Sequence, residues 1–142
     1  ADLVCLMHRQ GESDIMQNNP HYDDVVQEVY DYLKGRIEVC IASGISHEKL
    51  AIDPGIGFGK TLDHNISLLK NIDRFQSLGV KTLLGTSRKS FIEKLCPDAS
   101  ATDRLGGSLA TVLAGWQKGV SIVRVHDVAQ TLQAMTVFAR VI

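Results

Sequence analysis

The chain has 142 residues, 44% hydrophobic and 22% charged, and a formal net charge of −1. That balance fits a soluble globular chain, one domain or part of one over residues 1–142, and argues against a nucleic-acid binder built on a basic face. No apolar run approaches the roughly 20 residues of a membrane span, and Asp2, His8, Arg9 and Glu12 crowd a start where a secretory leader would be basic and then apolar.

In chain order, an apolar stretch at 1–8 predicts a first strand. Residues 22–42 place Val25, Val26, Val29, Tyr30, Leu33, Ile37 and Ile41 at helical spacing, and Gly44 ends the run. A second strand is expected at 49–52, just before Asp53. A helix at 65–75 carries Ile66, Leu68, Leu69, Ile72 and Phe75 and stops at Gly79. A third strand is expected at 80–84, a small-residue helix at 101–116 and a fourth strand at 120–125. Asp127 then opens the last helix as an N-cap, with Gln130 completing a capping box. Each strand is short and rich in Val, Ile or Leu, as buried parallel strands are. The order β-α-β-α-β-α-β-α implies an α/β fold of four βα units with right-handed crossovers. Cys5, Cys40 and Cys96 are odd in number and widely spaced. They fit no disulfide framework or CxxC pair and are expected to be reduced and mostly buried, in a cytoplasmic protein.

Polar residues gather where the strands end: 7–10 after the first, Asp53 after the second, 85–90 after the third, and Arg124, His126 and Asp127 after the fourth. In parallel α/β folds those carboxyl ends carry the chemistry, because βα loops and helix N-termini converge there. The densest motif is DPGIGFGKT at 53–61. Alternating glycines let a backbone approach a ligand and expose its N–H groups; a ligand-free tight turn is the plain alternative. Pro54 stands where a Walker A loop needs its first glycine, and GxGxG is not the dinucleotide spacing. Asp53 suits the paired N–H donors of a flat amino-heterocycle, or simply closes an Asx turn.

Residues 85–90 (GTSRKS) put hydroxyls and two cations, Arg88 and Lys89, at a helix start. That makes an anion-binding corner, or a capped helix with solvated cations. Arg124 and His126 share a strand face with Ile122. An arginine aimed into a core is costly unless it meets an anion at the open end, and its fork beside a histidine donor suits phosphate. For His126 alone, a hydrogen-bonded core histidine is the alternative. His21, His47 and His64 make no ligand spacing, and no GxSxG elbow exists. Zinc and a serine nucleophile are therefore unsupported, and so is a nucleotide phosphotransferase of the P-loop kind.

Five stretches carry a resemblance: LMHRQG at 6–11, LAIDPGIGFGK at 50–60, LLGTSRKSFI at 83–92, DRLGGSLA at 103–110 and IVRVHDV at 122–128. In this order they resemble the dihydropteroate synthase family, the folate-pathway transferases that sulfonamide drugs target. The resemblance implies the C-terminal half, about strands five to eight, of a (β/α)8 TIM-like barrel. It implies condensation of 6-hydroxymethyl-7,8-dihydropterin diphosphate with 4-aminobenzoate, giving 7,8-dihydropteroate and pyrophosphate. Mg2+ assists, with its ligand expected in the other half. By resemblance, Asp53 takes the amino-pyrimidine edge of the pterin and Lys89 its carbonyl side. Arg124 lies over the pterin near the leaving pyrophosphate and His126 binds phosphate; Lys89, Arg124 and His126 are the expected catalytic residues. Gly57 gives backbone contact and Met7 an apolar wall, while Phe58, Ser87 and Ser90 surround the aminobenzoate. The intact enzyme is expected to be a homodimer with no nucleic-acid or membrane partner. An inactive pterin- or phosphate-binding fragment is the alternative.

Overall fold

In a computed structural model, residues 1–12 and 16–142 are described. The elements are β1 (Val4–Met7), α1 (Val25–Ala42), β2 (Leu50–Asp53), α2 (Leu62–Lys70), β3 (Lys81–Leu84), α3 (Ser90–Leu95), α4 (Leu105–Gln117), β4 (Ile122–Val123) and α5 (Val128–Val141). Short 3-10 stretches lie at His47–Lys49, Ile72–Leu78 and Ala101–Asp103. The expected alternation of strands and helices is present.

Among the described residues the strands pair in parallel in the order β1-β2-β3-β4. A sheet that grows in one direction without reversal keeps its right-handed crossover helices on one face. Side chains alternate between the two faces. On the helix side, Leu50, Ile52 and Leu84 pack with Val29, Leu33, Leu68, Ile72 and Phe75 in one core. On the other side, register sets Cys5 beside Ala51, Met7 beside Asp53 and Leu83 beside Ile122.

Local chemistry sets the boundaries. The Asp24 carboxylate accepts the Gln27 N–H at 3.0 Å, and Glu28 accepts the N–H groups of Asp23 and Asp24. These bonds start α1 at Val25 rather than at 22. Thr61 and His64 form a capping box that starts α2 three residues ahead of the expected 65. The helix expected at 65–75 breaks at Asn71, whose φ of −111° leaves the helical range, and a 3-10 stretch follows. The helix expected at 101–116 opens with a separate 3-10 turn, so α4 begins only at Leu105.

Three expectations change outright. Cys5 and Cys96 are exposed, and only Cys40 is buried, although all three are free thiols. Cys5 lies on the sheet face that carries no helix, and Cys96 follows the last turn of the short α3. Strand β4 stops at Val123, short of the expected 125. Arg124 keeps one ladder bond, from its N–H to Leu84 O at 3.0 Å, before the chain turns into α5. Asp127 stands at the N-cap of α5 but makes no side-chain cap bond. Arg88 occupies both its oxygens, at 3.1 and 2.6 Å, so the expected box with Gln130 does not form.

Candidate functional site

Three strand ends bring the candidate residues together. Asp53 ends β2 and is 2% exposed. Its Oδ1 accepts the Gly55 N–H at 2.8 Å, closing an Asx turn, while Oδ2 lies 3.6 Å from Arg124 Nη2. One oxygen of this carboxylate therefore closes the turn and the other stands near Arg124. Burial pushes its pKa up, against the pull of the Gly55 N–H and of the cations Lys89, Arg124 and Lys60.

The loop after β2 uses its glycines against its own chain. A Cβ on Gly55 (φ +73°) would sit 1.8 Å from His8 O, and one on Gly59 (φ +62°) 2.3 Å from Gln10 O. The Gly55 N–H goes to Asp53, the Gly57 N–H to Asn65 Oδ1 at 2.8 Å and the Phe58 N–H to Gly55 O at 3.1 Å. The expected row of outward N–H groups does not form at these positions. Glycine is needed here so that the loop can lie against the chain leaving β1.

Lys60 closes the loop from inside. It is 3% exposed, and its Nζ donates to Gly55 O at 2.9 Å, Phe58 O at 3.0 Å and His8 Nδ1 at 3.0 Å. Three donors meet three acceptors. Burial lowers Lys60 to about 7. Burial, with the Lys60 charge adding to it, lowers His8 to about 4, so His8 is a neutral acceptor at pH 7.

The β3–α3 loop supplies Ser87 and Lys89. Lys89 Nζ donates to Ile56 O and lies 4.5 Å from the centroid of the Phe58 ring. Burial lowers Lys89 to about 8, with Asp53 pulling the other way. Between Ser87 and Lys89, Arg88 has φ +59°, uncommon for a residue with a side chain. Its N–H goes to Ser108 Oγ at 2.9 Å, its carbonyl accepts Arg104 Nη1 at 3.0 Å, and its guanidinium forks onto Asp127. The two cations of the expected anion corner thus part: Lys89 joins the loop after β2, and Arg88 ties down the start of α5.

At the exit of β4, the Arg124 guanidinium lies across Gly85, where a Cβ would sit 3.0 Å from Nη2. The His126 N–H donates to Ser87 Oγ at 3.1 Å, and the same hydroxyl lies 2.9 Å from His126 Nδ1. A hydroxyl can accept twice or donate once here, so the histidine tautomer decides which way the ring bond runs. Gly85, Ser87, Lys89, Arg124, Val125 and His126 line one cleft of about 210 Å³.

The remaining candidates sit around this cleft. Met7, half-buried, pairs in register with Asp53. The Lys89 stem passes Gly57, where a Cβ would be 3.2 Å from Lys89 Cδ. Ser90 is exposed and lines a neighbouring cleft of about 420 Å³ with Lys60, Thr61 and Lys94. The structure does not bring it into the Arg124–His126 cleft. Sequence reasoning missed His8 and Lys60. The signal was a lysine directly after a run of glycines that no longer had a phosphate to bind once Pro54 ruled out a P-loop.

The sequence profile of the family described as "Pterin binding enzyme" matches residues 2–126. The dihydropteroate synthase of Neisseria meningitidis serogroup B is 47% identical over 138 residues, covering 95% of this chain and 48% of that protein. Dihydropteroate synthase from Stenotrophomonas maltophilia superimposes with a TM-score of 0.94 at 45% identity, over 98% of this chain and 52% of that one. The Xanthomonas albilineans enzyme, solved in complex with 7,8-dihydropteroate, gives 0.89 at 42% identity, over 98% and 50%. The chain spans about half the length of the relatives it matches. Its four parallel βα units are half of a (β/α)8 barrel. The family match runs through every strand end that meets at the cleft, from β1 to His126, and the chain belongs to the pterin-binding enzyme family.

Proposed function

We propose that this chain supplies half of the active site of a dihydropteroate synthase. The enzyme joins 6-hydroxymethyl-7,8-dihydropterin diphosphate to 4-aminobenzoate and releases pyrophosphate. One observation carries the reading: a buried carboxylate, Asp53, stands beside Lys89 and Arg124, with the Ser87–His126 pair on the same cleft. A carboxylate suits the donor edge of a pterin, and an arginine fork with a histidine donor suits a diphosphate. The Xanthomonas relative bound to 7,8-dihydropteroate supports the ligand class.

In this reading Asp53 Oδ2 accepts from the amino-pyrimidine edge and Lys89 donates to the pterin carbonyl. Arg124 and His126 hold the diphosphate. Negative charge grows on the leaving pyrophosphate as its oxygen parts from the pterin methylene carbon, and these fixed donors stabilise it. The amine nitrogen of aminobenzoate forms the new C–N bond and releases a proton to solvent. Phe58, Ser87, Ser90 and Met7 bound the space for the aromatic ring, and Gly57 brings the loop backbone near it.

The described residues do not fit a Mg2+ site. Among the described residues no group of three His, Cys, Asp or Glu converges. The carboxylate beside the cleft, Asp53, stands among Lys89, Arg124 and Lys60, a field that opposes a dication. No step here runs through the ion, whose ligands the proposal assigns to the rest of the enzyme. Homodimeric assembly and a cytoplasmic setting belong to the same proposal. Among the described residues, no helix is long and apolar enough to cross a membrane.

Calorimetry on the assembled enzyme tests the reading. His126→Ala is expected to weaken pyrophosphate binding by about 1.5–3 kcal/mol, roughly tenfold or more, and to leave aminobenzoate binding little changed. Arg124→Lys keeps the charge but loses the planar fork and is expected to lower turnover. Unchanged pyrophosphate affinity in His126→Ala would make His126 a capping residue and remove the phosphate role.

A further inference from the structure

The loop after β2 is soft by composition. Gly55, Gly57 and Gly59 all have positive φ, and none has a side chain to stiffen the turn. Yet this loop carries the two groups that meet Lys89: the Ile56 carbonyl and the Phe58 ring. Something else must hold its shape. Lys60 makes bonds to Gly55 O, the residue before Ile56, and to Phe58 O itself. Its third bond runs to His8 Nδ1, at the exit of β1. The amino group is buried, makes three bonds and does not line the Arg124–His126 cleft. It draws the two ends of the loop around one point.

We infer that Lys60 is a positioning residue: with His8 as its anchor, it holds the loop so that Phe58 and Ile56 O meet Lys89, and it thereby sets affinity for the aromatic amine substrate. The inference rests on the synthase reading above. The proposed pyrophosphate contacts, Arg124 and His126, follow β4, and none of the three bonds of Lys60 runs to them. Losing Lys60 should therefore weaken one ligand and spare the other, which general loosening of the fold would not do.

The test uses the assembled enzyme with Lys60→Met, His8→Leu and His8→Asn. KM for 4-aminobenzoate and the Kd for pyrophosphate are measured for each. Lys60→Met is expected to raise KM for 4-aminobenzoate by about tenfold or more, with the pyrophosphate Kd within about twofold of the parent. His8→Leu should follow it, because the anchor is lost. His8→Asn keeps an acceptor near the Nδ1 position and should restore the parental KM. Equal loss for both ligands, or no change in either, overturns the inference. If Lys60→Met does not fold, the two His8 variants decide; if no variant of either residue folds, the clamp is a stability element and the inference fails. A parent enzyme that binds neither ligand would instead refute the synthase reading.

Discussion

Asp53 divides one carboxylate between a turn and, in the proposed reading, a ligand. Its Oδ1 is committed to the Gly55 N–H, and only Oδ2 remains for a substrate. Asp53→Asn keeps the turn through the amide oxygen but presents an NH2 to Arg124 and to any donor edge. The expected loss is about 1–3 kcal/mol in affinity for 6-hydroxymethylpterin, from a donor left without its acceptor. Pyrophosphate affinity should hardly move; equal losses in calorimetry would remove the pterin role. Lys89 adds a pH dependence whose sign follows from its depressed value of about 8. In the proposed reading the ammonium is the donor to the pterin carbonyl. Pterin affinity is therefore full well below pH 8 and falls as pH rises through it. Lys89→Arg should flatten that step, because a guanidinium stays charged throughout this range. A parent whose pterin affinity is level from about pH 6.5 to 9.5 would contradict the assignment.

At the scale of elements, the loop after β2 and helix α1 make opposite demands on glycine. A methyl at Gly55 meets His8 O at 1.8 Å and must sit on a backbone whose φ is +73°, whereas one at Gly35 meets nothing within 4 Å. Gly55→Ala is expected to lower stability by at least about 2 kcal/mol, and Gly35→Ala to raise it by about 0.5–1 kcal/mol. Urea midpoints check both; similar shifts would show that the loop is not packed as described. The same contrast explains what the sequence could reveal. Strand cores were legible because Leu50, Ile52 and Leu84 are apolar runs closed by Asp53 and Gly85. The end of β4 was not, because Val125 continues the apolar pattern while His126 is turned by its bonds to Ser87. Arg88 looked like a partner of Lys89 because the two are adjacent. Its direction depends on Ser108, Arg104 and Asp127, residues about 16 to 39 positions away that no local pattern links to it.

At the scale of the whole molecule, the strand order carries the argument. Parallel sheets are covered on both faces, yet here the helices cover one. Cys5 and Met7 lie on the other face, and β1 and β4 are open edges. Exposed Val128, Leu132, Val137 and Val141 continue along α5. A further set of βα units would pair those edges and close the barrel around that face. The proposed site follows the same logic: Asp53, Lys89, Arg124 and His126 would serve one side of a substrate enclosed from the other. The most direct test measures pyrophosphate release from dihydropterin diphosphate and 4-aminobenzoate. It compares this chain alone with the chain mixed with the complementary βα units of a dihydropteroate synthase relative. The account requires no measurable release by the chain alone, release on mixing, and a drop of about tenfold or more when the mixed chain carries Asp53→Asn. Ordinary turnover by the isolated chain, or release on mixing that is indifferent to Asp53→Asn, would contradict it.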